Sequence, residues 1–191
     1  MRMKLFALLL LAPLAANASF INNGTFDTDL GGWDQSGTLP TMWVAETAHI
    51  GRPGTPGTSV LSQVFTIPDV SAVEISFDYE WQIDAPTLTD FFSVDFAAAG
   101  AVFTTILTSD SDNAVFGTTV NFSTVIDLTG LDLISSNASI AFNLIENNQT
   151  RGTRVQLDNV VVRAASVSEP TSLALLGLGL AGFGWARRRR A

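Results

Sequence analysis

An antiparallel β-sandwich is the fold class the sequence predicts, on three observations. Val73, Ile75, Phe77, Tyr79, Trp81 and Ile83 alternate with Glu74, Ser76, Asp78, Glu80 and Gln82. That period of two puts one apolar and one polar row on opposite faces of a strand, a pattern no helix could bury. Shorter alternations rich in Val, Ile, Phe and Thr recur through the middle of the chain, separated by clusters of Gly, Pro, Asp, Asn and Ser. No helical stretch or internal repeat competes with them.

Taken in order, the alternations cover residues 59–67, 73–83, 91–97, 102–108, 118–127, 139–145 and 154–163. Turn clusters lie at 51–57, 109–113, 128–130 and 146–148. Roughly eight or nine short strands in a domain of about 145 residues are what two packed sheets require. Each strand has one hydrophobic face, as expected when the other meets water.

The 191 residues carry no cysteine and a formal charge of −8. A disulfide scaffold, a thiol nucleophile and a Cys-ligated metal are thereby excluded. Charge is segregated along the chain. Arg2, Lys4 and Arg187 to Arg190 sit at the two ends, so residues 19–170 hold all eighteen acids against four arginines, a formal −14 without lysine. Such a surface repels phosphate backbones, and nucleic acid is not an expected partner.

The two ends read as addresses. Arg2 and Lys4, the apolar run 5–14 and Ala16-Asn17-Ala18 form the three regions of a secretory signal peptide, residues 1–18, cleaved by signal peptidase after Ala18. Its apolar run is too short to span a hydrocarbon core of about 30 Å. At the other end, residues 167–170 (Val167, Ser168, Glu169, Pro170) precede an apolar segment at about 171–186 and the tail Arg187, Arg188, Arg189 and Arg190. Fourteen apolar residues reach about 21 Å as a helix, enough for a weak, temporary anchor in the inner membrane. The arginines are the stop-transfer signal and keep the acidic domain on the outer side.

This order of motif, apolar helix and arginine cluster resembles the PEP-CTERM sorting signal of Gram-negative bacteria. Glu169 and Pro170 coincide with the motif, and Ser168 stands where the family's first proline is usual. The resemblance implies an exported protein held in the inner membrane by residues 167–191, processed by an exosortase, and delivered to the cell surface or exopolysaccharide.

Between the ends, residues 19–166 open with Phe20-Ile21-Asn22-Asn23-Gly24-Thr25-Phe26-Asp27, continuing Leu30-Gly31-Gly32-Trp33, and close with Val155-Gln156-Leu157-Asp158-Asn159-Val160-Val161-Val162. These segments resemble the first and last strands of carbohydrate-binding-module-like, galactose-binding-like jelly rolls. The resemblance implies a jelly-roll topology and a structural calcium joining those strands through Asp27 and Asp158, whose hard oxygens suit that ion. No cofactor is required. The alternative for this pair is that the two carboxylates accept strand-end amides.

No catalytic constellation is expected. His49 is the one histidine and lacks a G-x-S-x-G partner motif; acidic pairs of the glycosidase kind are a more distant reading. Sugar binding needs an aromatic platform beside polar groups, and the candidates are Trp43, Trp81 and Glu80. Against Trp81, its row is the apolar row of its strand; Trp33, after two glycines, reads as a plug at a sandwich end. The expected function is a non-catalytic, exported surface or matrix protein associated with exopolysaccharide. The alternatives are a structural or adhesive protein without specific sugar binding and, further off, an exported glycan hydrolase.

Overall fold

The computed structural model describes residues 18–165 apart from 53, 83–87, 99–101, 132–135 and 148–152. Ala16, Ile83, Ser168, Glu169, Pro170 and Arg187 to Arg190 lie outside the described residues, as do the expected signal core and C-terminal helix. Among the described residues no helix is long and apolar enough to cross a membrane.

Ten strands are described: β1 (Asp34–Gly37), β2 (Thr41–Val44), β3 (Thr47–Ile50), β4 (Gly57–Ile67), β5 (Ala72–Gln82), β6 (Phe91–Ala98), β7 (Val102–Asp110), β8 (Val120–Asp127), β9 (Ser136–Glu146) and β10 (Arg154–Ala164). They form two five-stranded sheets, ordered β1-β4-β9-β6-β7 and β2-β3-β10-β5-β8, and every pairing is antiparallel. From β4 onward the chain changes sheet at each strand except across the β6–β7 hairpin.

All seven predicted alternations become strands, β4 to β10. The expected total of eight or nine is corrected to ten by β1, β2 and β3. These have four residues each, too few for a period to stand out. The turn between β2 and β3 is carried by Ala45 (φ 47°) and Glu46 (φ 65°). It is a left-handed pair without the glycine or asparagine that marks such hairpins in sequence.

The core lies between the sheets. Val73, Ile75, Phe77, Tyr79 and Trp81 of β5 all point into it. Phe142 of β9 is its aromatic centre, with ring centroids 5.1 Å from Phe77, 5.9 Å from Trp33 and 6.4 Å from Phe92. Offset and edge-on contacts of this kind add to area burial.

The N-terminal segment closes one side of this core. Phe20 N donates to Val162 O at 2.6 Å, and Val160 N donates to Gly24 O at 2.9 Å. The second contact falls where β10 breaks register with β5 between Asp158 and Val161, at Asn159 with φ 53°. Gly24 is required there, because a Cβ would come within 2.0 Å of Val160 O.

Candidate functional site

The outer face of the second sheet is polar. Cross-strand register sets Met42, His49, Gln156 and Glu80 in one row over β2, β3, β10 and β5. Glu80 lines a depression of about 300 Å³ with Asp78, Tyr79, Thr119, Gln156 and Asp158. Its oxygens are occupied: Thr119 Oγ1 donates to Oε2 at 3.0 Å and Gln82 Nε2 to Oε1 at 3.3 Å. Gln82 also donates to Gln156 Oε1 and accepts from Arg154 Nε at 2.9 Å. Gln82, Gln156 and Glu80 satisfy one another, and the row carries no Trp, Tyr or Phe ring.

The two tryptophans proposed beside Glu80 are elsewhere. Trp81 is a correction: it is 2% exposed, sits in the core against Phe92 and donates its indole N–H to Ser109 Oγ at 3.0 Å. A ring enclosed on both faces offers no platform. Trp43 is 41% exposed, but its row runs through Ala48, Leu157 and Tyr79, residues that face the core. Its indole N–H donates to Phe26 O at 2.6 Å. Trp43 thus closes the edge of the sandwich and lies on the side of the sheet opposite Glu80. Trp33 is buried, with its N–H on Asn23 O at 3.0 Å.

An exposed aromatic beside polar groups is found instead on the outer face of the first sheet. Phe91 is 49% exposed and Ile145 45%; they pair directly across β6 and β9, with Asp110 of β7 on the other side of Phe91. Phe91, Ser93, Thr108 and Asp110 line a depression of about 460 Å³, together with Phe92 and Ser109. Beyond it on the same face, Asp95 accepts from Thr105 Oγ1 at 2.6 Å and Asn143 Nδ2 at 2.9 Å. Asp110 shapes the following turn, accepting from Asp112 N at 3.1 Å and Asn113 N at 2.9 Å. An apolar ring flanked by hydroxyls and carboxylates can stack on a sugar face while its neighbours meet the hydroxyls.

Phe91 was missed from sequence although a signal existed. Adjacent residues of a strand face opposite ways, so in Phe91-Phe92 the row Phe92, Val94, Phe96 that enters the core leaves Phe91 outside.

Asp27 and Asp158 are brought into each other's field. Burial pushes the Asp158 carboxyl upward, and the charges of Asp78, Asp27 and Glu46 push the same way against the Asn159 N–H it accepts. Among the described residues the one ion pair is Arg163 with Glu74, so none of these four acids has a basic partner there. No three His, Cys, Asp or Glu side chains converge as around a metal ion among the described residues. A calcium there would be held by the Asp27 and Asp158 carboxylates, hard oxygen donors of the kind it takes.

His49 is buried on the outer side of β3, with Nδ1 unpartnered among the described residues. Burial and the nearby Arg154 hold it down to about 4, against the pull of Glu80.

Residues 166–190 match the family described as PEP-CTERM protein-sorting motif. No curated protein matches the chain. Among solved structures, TmCBM61 in complex with beta-1,4-galactotriose is similar over 78% of this chain and 99% of its own, at 11% identity and a TM-score of 0.57. A CBM4 structure is similar over 76% and 99%, at 18% identity and 0.52. The bacteriophage CBA120 tailspike protein 4 enzymatically active domain shares 77% of this chain but 21% of its own, at 14% identity and 0.51. At such identities the likeness is one of fold. The chain carries a PEP-CTERM sorting motif at residues 166–190, behind a sandwich similar to the jelly rolls of carbohydrate-binding modules.

Proposed function

We propose that this protein is exported, cleaved by signal peptidase after Ala18, anchored in the inner membrane by its C-terminal segment and processed by an exosortase near Ser168, Glu169 and Pro170. It then acts at the cell surface or in the matrix as a non-catalytic module that binds exopolysaccharide. The observation that carries the binding reading is Phe91, half exposed on a sheet face beside Ser93, Thr108 and Asp110. The fold likeness supports it as analogy. Against a hydrolase, the closely associated carboxyls Asp90 and Glu146 are both buried inside the sandwich, where no glycosidic bond reaches them. A structural calcium between Asp27 and Asp158 belongs to the same reading and is favoured by the unpaired acids around them.

The test is affinity electrophoresis of the full chain and of Phe91→Ala through gels containing galactan, glucan, xylan or the producing cell's own exopolysaccharide. Retardation that Phe91→Ala abolishes supports the proposal. Retardation unchanged by Phe91→Ala moves the site elsewhere, and no retardation in any gel favours a structural or adhesive matrix protein.

A further inference from the structure

The two sheets end in the edge strands β1, β7, β2 and β8. An open edge invites pairing with another chain, and folded proteins blunt it with short strands, bulges, proline or charge. β1 and β2 have four residues each. In β7, Ile106 is an extra residue between Thr105 and Leu107, which face the successive Asp95 and Val94 of β6, a bulge that interrupts that edge. β8 carries none of these devices. It runs eight residues, Val120–Asp127, in unbroken register with β5, and residues 118–126 include neither a charged residue nor a proline.

The pairing shows which backbone groups of β8 are open. Leu128 N donates to Ser71 O at 2.8 Å, one step beyond the facing pair Ala72 and Asp127. Bonded and non-bonded pairs alternate along an antiparallel ladder, so Ile126, Thr124, Phe122 and Val120 turn their amides and carbonyls toward β5. Asn121, Ser123 and Val125 turn theirs away from it. On the other side of β5, Ala165 N donates to Ala72 O at 3.0 Å, which fits the same alternation. Among the described residues no strand pairs with the outer edge of β8. Its side chains are equally uncovered: Val120 is 40% exposed and Val125 61%, and Phe122 and Ile126 are only partly buried against the core.

We propose that β8 pairs antiparallel with β8 of a second copy of this chain, about a two-fold axis at Ser123, joining two sheets into one. Open groups must meet open groups, so the register moves only in steps of two residues. With Ser123 opposite its own copy, Asn121 faces Val125, Val120 faces Ile126 and Phe122 faces Thr124 across the axis. The row on the core side thus continues from one copy into the other, and the surface complements itself, as a two-fold interface must. Asp127 falls opposite Thr119, beyond the end of the strand. Moving the axis to Thr124 would bring Asp127 opposite Asn121, whose side chain is held by Asp78, and moving it to Phe122 would shorten the ladder.

Charge also selects this edge. Two strongly acidic domains repel, and an uncharged strand is where they can approach. The acids of β5 that flank it are engaged, Glu74 with Arg163 at 3.0 Å and Asp78 with Asn121. Salt screens the remaining repulsion between the domains, so it strengthens the association. A single pair of short strands covers less than the about 1,000 Å² of a durable interface, which puts the affinity in the micromolar range. The pairing does not depend on any sugar being bound.

The experiment is sedimentation velocity of the full chain in detergent micelles, at about 10–200 μM and at low and high salt. The expected result is a monomer–dimer equilibrium with more dimer at higher protein and at higher salt. Ser123→Lys and Ser123→Asp should each be monomeric, because like charges then meet at the axis. An equimolar mixture of the two should dimerise again, which unfolded variants could not do. A wild-type chain that stays monomeric throughout overturns the proposal. So does a dimer that persists in both variants alone, since it is then held by another surface. Ser123→Cys, in a chain without another cysteine, checks the axis. Bonded antiparallel partners lie about 5.5 Å apart at Cα, a separation that a disulfide spans, and oxidation should link the two copies. A Ser123→Cys chain that dimerises but does not link overturns the Ser123 axis.

Discussion

Phe91 and Ile145 are direct cross-strand partners on β6 and β9, both about half exposed on the outer face of the first sheet. A large apolar pair on the wet side of a strand is a poor contributor to folding and a good contributor to contact. Replacing Phe91 by alanine should therefore cost no more than about 1 kcal/mol of stability. It should weaken polysaccharide binding about tenfold, the worth of one aromatic stack. Calorimetric titration beside a denaturant melt checks both; a large fall in stability with unchanged affinity would assign Phe91 to the scaffold.

Phe142 tests the opposite situation. It is enclosed by Trp33, Phe77 and Phe92, and Phe142→Ala should destabilise the domain by about 3–5 kcal/mol through lost burial and the cavity left behind. Denaturant unfolding reads the change directly. A loss below about 1 kcal/mol would mean that the centre of the core repacks.

His49 gives the domain an acid-side dependence. Its folded value is held down to about 4 from an ordinary 6.5, so between those values the unfolded chain binds the proton and the folded chain does not. Stability should fall as pH drops from about 6.5 towards 4, by at most about 3 kcal/mol from this group. His49→Gln should flatten that part of the profile. An unchanged slope in the variant would place the dependence on the carboxylates.

Calcium is tested by melting the protein with and without a chelator. The expected outcome is a lower melting temperature in chelator, restored by excess calcium, and loss of that difference in Asp158→Asn. Coincident curves for the wild-type protein would sink the proposed ion between Asp27 and Asp158.

Sorting is read at the C-terminus. Mass spectrometry of surface-exposed protein should find chains that end close to Ser168, Glu169 and Pro170, with Arg190 missing. Intact Arg190 on surface protein would contradict exosortase processing.

The long strands were legible because β4, β5 and β6 keep alternation over eight to eleven residues, and β10 keeps it on either side of its one register break. β3 was not, since all four of its residues are buried and alternation vanishes when both faces are covered. Trp43 and Glu80 looked like partners because each belongs to a plausible sugar site. Register alone puts them on opposite sides of one sheet, and register depends on turns that sequence leaves undetermined. The grouping of Asp90 with Glu146 and Thr153 was invisible for a different reason: Asp90 is 63 residues from Thr153 in sequence, and the two meet only after both sheets have formed.

The pairing of Phe20 with Val162 has a mechanical consequence. The chain enters and leaves the sandwich at one pole, where β5 begins and β10 ends, while Phe91, Asp90 and Thr153 lie at the other. The eleven residues of β10 separate the poles by about 35 Å at the usual rise per residue. A tether attached beyond residue 165 would leave the exposed aromatic pair at the end of the sandwich farthest from the attachment. Tension from a captured polymer would run lengthwise along β10, loading its hydrogen bonds to β5 in shear, with the Asp90–Thr153 contact at the far end of the same strand.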